Sequence, residues 1–415
     1  MAGRGEHLVR GGLLFANGNS LVSRLFARGF ARLLDEIDER LKVGGIVATQ
    51  PDGTVRRLGF RAPGPECVVY LHSWNALVRL ATSGSIGWYR AWAKGEWNSP
   101  DPVPLFALFM ANRHSLGGLA RSKGLARAFN LARHHLRRND LTGARDNIAA
   151  HYDLGNDFYA AWLDDTMTYS SARFSRAGES LEAAQERKVA TLLDRLDLKP
   201  GQRLLEIGCG WGSLAIAAAR RGVSVVGLTL SLEQKKWADK ASLKAGLFDR
   251  VEIRLADYRE IDEQFDAVAS VEMVEAVGMR WWPAWFDAIA RNLKPGGRAA
   301  LQFISFDHAL FDSYSRNPDF IQAYIFPGGM LVDEPRFALL AAERGLSWQD
   351  REGFAEDYAE TLKQWRQRYD AAVARGDLAG FSDRFHQLWR YYLMYCEGGF
   401  RGGGIDVAQV TLVKG

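Results

Sequence analysis

The sequence predicts an α/β chain: a parallel sheet with helices on both faces, preceded by a smaller N-terminal α+β domain. Two observations predict it. Beyond residue 200, short apolar runs alternate with amphipathic stretches at the pitch of strand–helix units. The first of those runs, in R-L-L-E-I-G-C-G-W-G (Arg203–Gly212), passes through a glycine turn into the strong helix former S-L-A-I-A-A-A-R-R. That order places bare backbone and a helix N-terminus at the carboxyl end of a strand, where doubly wound, Rossmann-like sheets bind nucleotides.

Composition sets the bounds. A chain of 415 residues, 47% of them hydrophobic, has room for two or three domains with full cores. Its net charge of +4 permits an anionic partner without demanding one. Cys67, Cys209 and Cys396 are scattered and show no metal-ligand spacing, so no metal is expected and a reduced, cytoplasmic compartment is. No apolar run approaches the ~20 residues of a membrane-spanning helix. The N-terminus also lacks a signal-peptide core. A soluble or surface-bound protein is expected.

The N-terminal domain is assigned to residues 1–112. Residues 21–43 carry apolar side chains on one helical side, and Gly44-Gly45 stops them. Strand-like stretches follow at Gly45–Gly59, with a P-D-G turn inside, and at Cys67–Leu71. Asn75–Thr82 reads as a helix ending at Ser83-Gly84, and three prolines open another over Leu105–Asn112. Residues 113–145 form a basic linker. Arg113, Arg121, Lys123, Arg127, Arg133, Arg137, Arg138 and Arg145 stand against one acid, Asp140, with leucines interleaved. That pattern suits an anionic phospholipid surface, and a solvated linker helix accounts for it equally well. No nucleic-acid motif accompanies the charge, and a homodimer is left open.

Residues 146–415 are assigned to the catalytic domain. Its elements run helix Glu179–Leu196, the opening strand, strand Val223–Thr229, helix Leu232–Gly246, strand Val251–Leu255, strand Phe265–Val271, helix Trp282–Asn292 and strand Arg298–Ser305. The turn Lys294-Pro295-Gly296-Gly297 precedes the last of these.

The glycine turn selects its ligand. Gly208, Gly210 and Gly212 are spaced G-x-G-x-G, unlike the G-x-G-x-x-G of pyrophosphate binders. Glu206, two residues before the first glycine, is of no use to a phosphate but can hold an ammonium group, as on the amino-acid end of S-adenosylmethionine. Where many such folds place an acid for the ribose hydroxyls, this chain has Thr229, and Gln234 one turn later offers an amide for the same diol. Asp257 is placed to accept from an adenine amino group or, equally, to cap a helix, and Tyr258 is available to stack.

An ordered set of segments then resembles the cyclopropane-fatty-acyl-phospholipid synthase family. They are G-S-I-G-W-Y-R-A-W-A-K-G-E-W, H-Y-D-L-G-N-D-F-Y (His151–Tyr159), M-T-Y-S-S-A-R-F (Met167–Phe174), L-E-I-G-C-G-W-G-S-L-A, S-V-E-M-V-E-A-V-G (Ser270–Gly278), Y-I-F-P-G-G (Tyr324–Gly329) and Y-Y-L-M-Y-C-E-G-G-F-R (Tyr391–Arg401). The resemblance implies transfer of a methyl group from S-adenosylmethionine to the double bond of a phospholipid acyl chain. A carbocation follows, and a bound bicarbonate removes a proton so that a cyclopropane closes. Tyr169 and Ser170 match the pair that closes over the cofactor's methionine end. Glu275 matches the glutamate that orients the bicarbonate, Tyr358 a tyrosine that contacts it, Ile304 a backbone contact and Cys396 a pocket cysteine. Two positions depart from the family pattern: Ser171 stands where a cysteine is usual, and Gln302 where a histidine is. Both belong to the bicarbonate pocket, so a methylene or methyl-branched product stays open beside the ring. Glu272 and Glu275 both lie just past the fourth strand of the sheet, where such sheets build active sites. A different small-molecule acceptor, and a non-catalytic lipid-binding protein, are the alternatives. The expected location is cytoplasmic, peripherally on the inner face of the membrane.

Overall fold

The computed structural model describes residues 4–13, 27–117 and 154–415. The described chain divides into two compact units, each discontinuous in sequence. The first holds the described residues up to 117 with 309–327 and 379–405, and the second holds 154–308, 328–378 and 406–415. Two segments assigned by sequence to the catalytic region, 309–327 and 379–405, thus fall in the first unit. Apart from residues 113–117, the basic linker lies outside the described residues, as do His151 and its two successors.

In the first unit, strands β1 (Gly45–Thr49), β2 (Val55–Gly59), β3 (Glu66–Leu71) and β4 (Trp97–Asn98) form a sheet in the order β2-β1-β3-β4. The P-D-G turn makes β1 and β2 an antiparallel hairpin, pairing Ile46 with Leu58. The helix expected to end at Gly84 continues to Ala93: Gly84 leaves helical geometry at φ 58°, ψ −139°, and the helix then resumes. The second half continues because Ile86, Trp88, Tyr89 and Ala91 are all buried. The Val103–Ala111 helix packs closely on the Asp383–Arg401 helix. A Cβ added at Gly398 would lie 2.4 Å from Phe106 Cβ and 2.7 Å from the Val103 carbonyl, so only glycine permits that approach.

In the second unit, strands β5 (Arg203–Ile207), β6 (Ser224–Thr229), β7 (Val251–Leu255), β8 (Phe265–Val271), β9 (Leu293–Phe306), β10 (Leu346–Gly353) and β11 (Ile405–Lys414) form one sheet. Their order is β10-β11-β9-β8-β5-β6-β7. β5 pairs in parallel with both β6 and β8, and β8 with β9, so the chain reverses direction across the sheet at β5. This is the position where open α/β sheets hold their ligands. The K-P-G-G turn is absorbed into β9 as a bulge: Phe265 faces Leu293 and Ala267 faces Arg298. β10 and β11 are antiparallel to each other and extend the sheet beyond the strands the sequence predicts. Leu204, Ala215, Ala218, Ala267 and Ala300 are each fully buried where the sheet meets its helices. No helix among the described residues is long and apolar enough to cross a membrane.

Candidate active site

The second unit builds a glycine cradle beside a polar cage. In the cradle, Gly208, Gly210 and Gly212 all have positive φ (85°, 52° and 90°), and Gly212 begins the Ser213–Arg220 helix. The turn is pinned from beneath by the Gly208 and Cys209 N–H groups donating to the Leu228 carbonyl. A Cβ at Gly208 would strike Met273 at 2.7 Å, whereas a Cβ at Gly210 would have no atom within 4 Å. Gly210 therefore faces open space that a ligand can approach closely. Glu206 is buried under this turn, and its Oε2 has no hydrogen-bond partner among the described residues. Burial pushes its carboxyl up to about 8, against the pull of the Lys188 ammonium. A buried carboxyl with one oxygen lacking a partner among the described residues, next to an open glycine turn, fits a ligand that brings an ammonium group.

The other cofactor residues are distributed around that cradle. Thr229, at the end of β6, donates through Oγ1 to Gln234 Oε1 at 2.7 Å. This leaves the Gln234 amide N–H groups as donors not used within the described residues, as a diol requires. Asp257 caps the Tyr258–Glu260 turn and also grips the Arg259 guanidinium with both oxygens at 2.7 Å. Arg259 in turn lies over the rings of Tyr258 and Trp281. Tyr169 packs against Tyr159, Trp162 and Trp365 with ring centroids 5.2–5.6 Å apart. Ser170 Oγ accepts from Lys188 Nζ at 2.7 Å. Asn156 fastens the edge of the turn by accepting from Trp211 Nε1 at 2.7 Å, which gives the G-N-D-F-Y segment its task.

The cage surrounds Glu272. Its Oε1 accepts from the Ser171 backbone N–H at 2.9 Å and from Gln302 Nε2 at 2.7 Å, and its Oε2 accepts from the Tyr358 hydroxyl at 2.6 Å. Three of the residues expected around a bound anion are thus brought together on one side chain. Ser171 is fully buried, with its hydroxyl donating to the Ala172 carbonyl. Glu275, in the short turn Val274–Ala276, accepts from the Ile304 N–H through Oε1 at 2.5 Å, while its Oε2 is buried without a partner among the described residues. Burial and the neighbouring Glu272 charge push the Glu275 carboxyl up to about 8. Cys396 belongs to the first unit, on the Asp383–Arg401 helix, where burial and nearby Asp319 hold its thiol protonated.

Three residues of this site carry no role in the sequence reading. The sequence marks Glu272 only by its place after β8. Lys188 lies on the buried face of the Leu181–Arg195 helix, where burial pushes its amine down to about 8 against the pull of Glu272, Asp164 and Glu206. A lysine at the helical spacing of Leu181, Ala184 and Leu192 is a charge in a core stripe, which was the available signal. Gln409 sits on β11 and donates to Gln302 Oε1 at 3.0 Å.

A family model described as mycolic acid cyclopropane synthetase matches residues 139–410. This chain belongs to the mycolic acid cyclopropane synthetase family. It is 40% identical over 366 residues to the tuberculostearic acid methyltransferase UfaA1 of Mycobacterium tuberculosis, covering 85% of this chain and 84% of that one. It is 37% identical over 347 residues to the cyclopropane-fatty-acyl-phospholipid synthase of Escherichia coli, covering 81% and 85%. Among solved structures, the mycolic acid cyclopropane synthase CmaA1 complexed with SAH and CTAB matches 65% of this chain and 98% of its own, with a TM-score of 0.60 and 32% identity. As a member of this family the chain is an S-adenosylmethionine-dependent methyltransferase of the cyclopropane synthase type. The seven-strand sheet and its glycine cradle are the methyltransferase fold expected from the sequence.

Proposed function

We propose that this enzyme methylates the double bond of an unsaturated acyl chain carried by a phospholipid and closes the product to a cyclopropane. S-adenosylmethionine, when bound, supplies an electrophilic methyl group. Glu206 would hold its ammonium, Gly210 admits it to the backbone, and the Gln234 amide meets its ribose hydroxyls. Asp257 and Tyr258 stand where the adenine is expected, and Tyr169 and Ser170 at the methionine end.

The observation that supports acyl chemistry is the pair Glu272 and Glu275, placed immediately beyond β8 next to the cradle. Methyl addition to an alkene leaves a carbocation, which has to lose a proton before water traps it. A buried carboxylate there serves that step by stabilising the cation and by accepting the proton. The similarity to the Escherichia coli phospholipid enzyme over 81% of this chain supports a phospholipid as the carrier.

The reading also includes peripheral attachment to an anionic membrane face through the basic segment 113–145. Vesicle binding should then require acidic headgroups and weaken with salt. Equal binding to neutral vesicles at high salt contradicts it. The catalytic reading is tested by mass spectrometry of fatty acids from a host expressing the protein. A gain of ~14 Da on monounsaturated chains, with a ring and no remaining double bond, is expected. A methylene branch has the same gain and is told from the ring by its remaining double bond, a saturated methyl branch would gain ~16 Da and require a separate reductant, and no mass gain would reject the substrate.

A further inference from the structure

The donors expected to hold a bicarbonate ion are already occupied. The Ser171 N–H, the Gln302 amide and the Tyr358 hydroxyl converge on Glu272, and the Ile304 N–H is taken by Glu275. A bicarbonate added to this pocket would compete with Glu272 for every one of those first three donors. It would also set a second negative charge beside a carboxylate in a buried place. The residues present do not fit the ion.

We propose that the Glu272 carboxylate itself fills the anion position and is the base that receives the proton released by the substrate carbocation. This rests on the acyl-chain reading above. Three further features support it. Glu272 has φ 48°, a left-handed backbone that non-glycine residues rarely adopt, so the main chain is held in an unfavourable shape that aims this side chain into the cage. Gln302 is fixed in orientation: its carbonyl oxygen accepts from Gln409, whose own oxygen accepts from Arg195 Nε at 3.2 Å. Dipoles therefore run head to tail from a guanidinium to Glu272 and favour its anion. Finally, among the described residues Glu272 Oε2 accepts from the Tyr358 hydroxyl alone, which leaves that oxygen a second lone pair for a proton.

The step balances with the chain's own groups. Once one alkene carbon has gained the methyl group, its neighbour carries the positive charge. Glu272 takes a proton from the transferred methyl group, and the electron pair of that C–H bond becomes the second new ring bond. The resulting carboxylic acid gives its proton to water before the next turnover.

The test compares turnover in buffer stripped of carbon dioxide with turnover in buffer containing added bicarbonate, using phospholipid vesicles and methyl-labelled cofactor. The wild-type rate should be the same in both. Glu272→Gly, which suits φ 48° without strain, should lose ~10²–10⁴-fold in stripped buffer and recover in part with added bicarbonate or formate. Glu272→Gln should lose as much and not recover, since the amide keeps the pocket filled. Unchanged S-adenosylmethionine affinity by calorimetry certifies that each variant is folded, and if neither folds, the wild-type comparison decides alone. A wild-type rate that falls ~10-fold or more on stripping, or a Glu272→Gly variant at full rate without added anion, overturns the assignment. Absence of label in acyl chains in both buffers overturns the acyl-chain reading itself, and the base assignment with it.

Discussion

The Tyr358 hydroxyl donates to Glu272 Oε2 at 2.6 Å, tying the first turn of the Ala355–Arg375 helix to the residue that leaves β8. Glu272 thereby has three donors, while Glu275 next to it has one N–H donor and a second oxygen without a partner among the described residues. The unequal supply of donors decides which of the two carboxylates carries charge. Burial raises both carboxyls, but the donors from Tyr358, Gln302 and Ser171 and the Lys188 charge counter it at Glu272 and favour its anion, whereas Glu275 is pushed up to about 8.

Glu275→Gln should therefore be mild at pH 7, costing at most ~10-fold in turnover, because the amide resembles the neutral acid already present. Its effect on stability has a definite sign. An acid whose folded pKa is raised favours the fold at low pH, and that contribution is lost as pH rises through about 8. Thermal melts from pH 6 to 9 should show the variant gaining on the wild type as pH increases. A variant that loses ground above pH 8, or loses turnover as severely as Glu272→Gln, contradicts this division of charge.

The buried Glu206 gives a second pH dependence. Its carboxyl is raised to about 8 by burial, so below that pH the cofactor-free protein holds a proton there. An arriving ammonium group favours the anion and expels that proton. Titration calorimetry at pH 7 in buffers of different ionisation enthalpy should register proton release on S-adenosylmethionine binding. Glu206→Gln should remove that release and weaken binding by ~10-fold or more. Buffer-independent heats in the wild type would show that Glu206 does not meet the cofactor's charge.

Gly210 tests the cradle. At φ 52° with open space where a Cβ would be, valine would be strained by ~1–2 kcal/mol and would project into the ligand's place. Gly210→Val should keep the circular dichroism of a folded α/β protein and lose measurable affinity for S-adenosylmethionine. Near-normal affinity would move the cofactor away from this turn.

Much of this site was legible because its parts are local in sequence. The glycine turn, Thr229 with Gln234, and the pair Glu272 and Glu275 each follow a strand whose apolar run is easy to recognise. What escaped is what depends on pairing between distant segments. Gln409 acts from β11, next to β9 in the sheet yet about a hundred residues later in the chain. No pattern in its own strand announces that it orients Gln302. Lys188 stands out locally as a charge in the apolar stripe of its helix, but the carboxylates it faces, Glu272, Asp164 and Glu206, lie on other segments and are not readable from that stripe. Asp257 shows the opposite case: a local motif allowed both an adenine contact and a helix cap, and the structure displays the cap, with Arg259 held in both carboxylate oxygens. The extension of the Asn75–Ala93 helix past Gly84 was likewise not readable, since burial of Ile86, Trp88 and Tyr89 overrides the local glycine signal.

The central claim is methyl transfer to an acyl double bond, and one measurement reaches it directly. Purified protein is incubated with S-adenosylmethionine labelled in its methyl group and with vesicles of a monounsaturated anionic phospholipid, and the released fatty acids are analysed by gas chromatography and mass spectrometry. One labelled carbon per modified chain is expected, located in a cyclopropane at the former double bond. Label confined to the headgroup, or absent from lipid while the bound cofactor is intact, would contradict it.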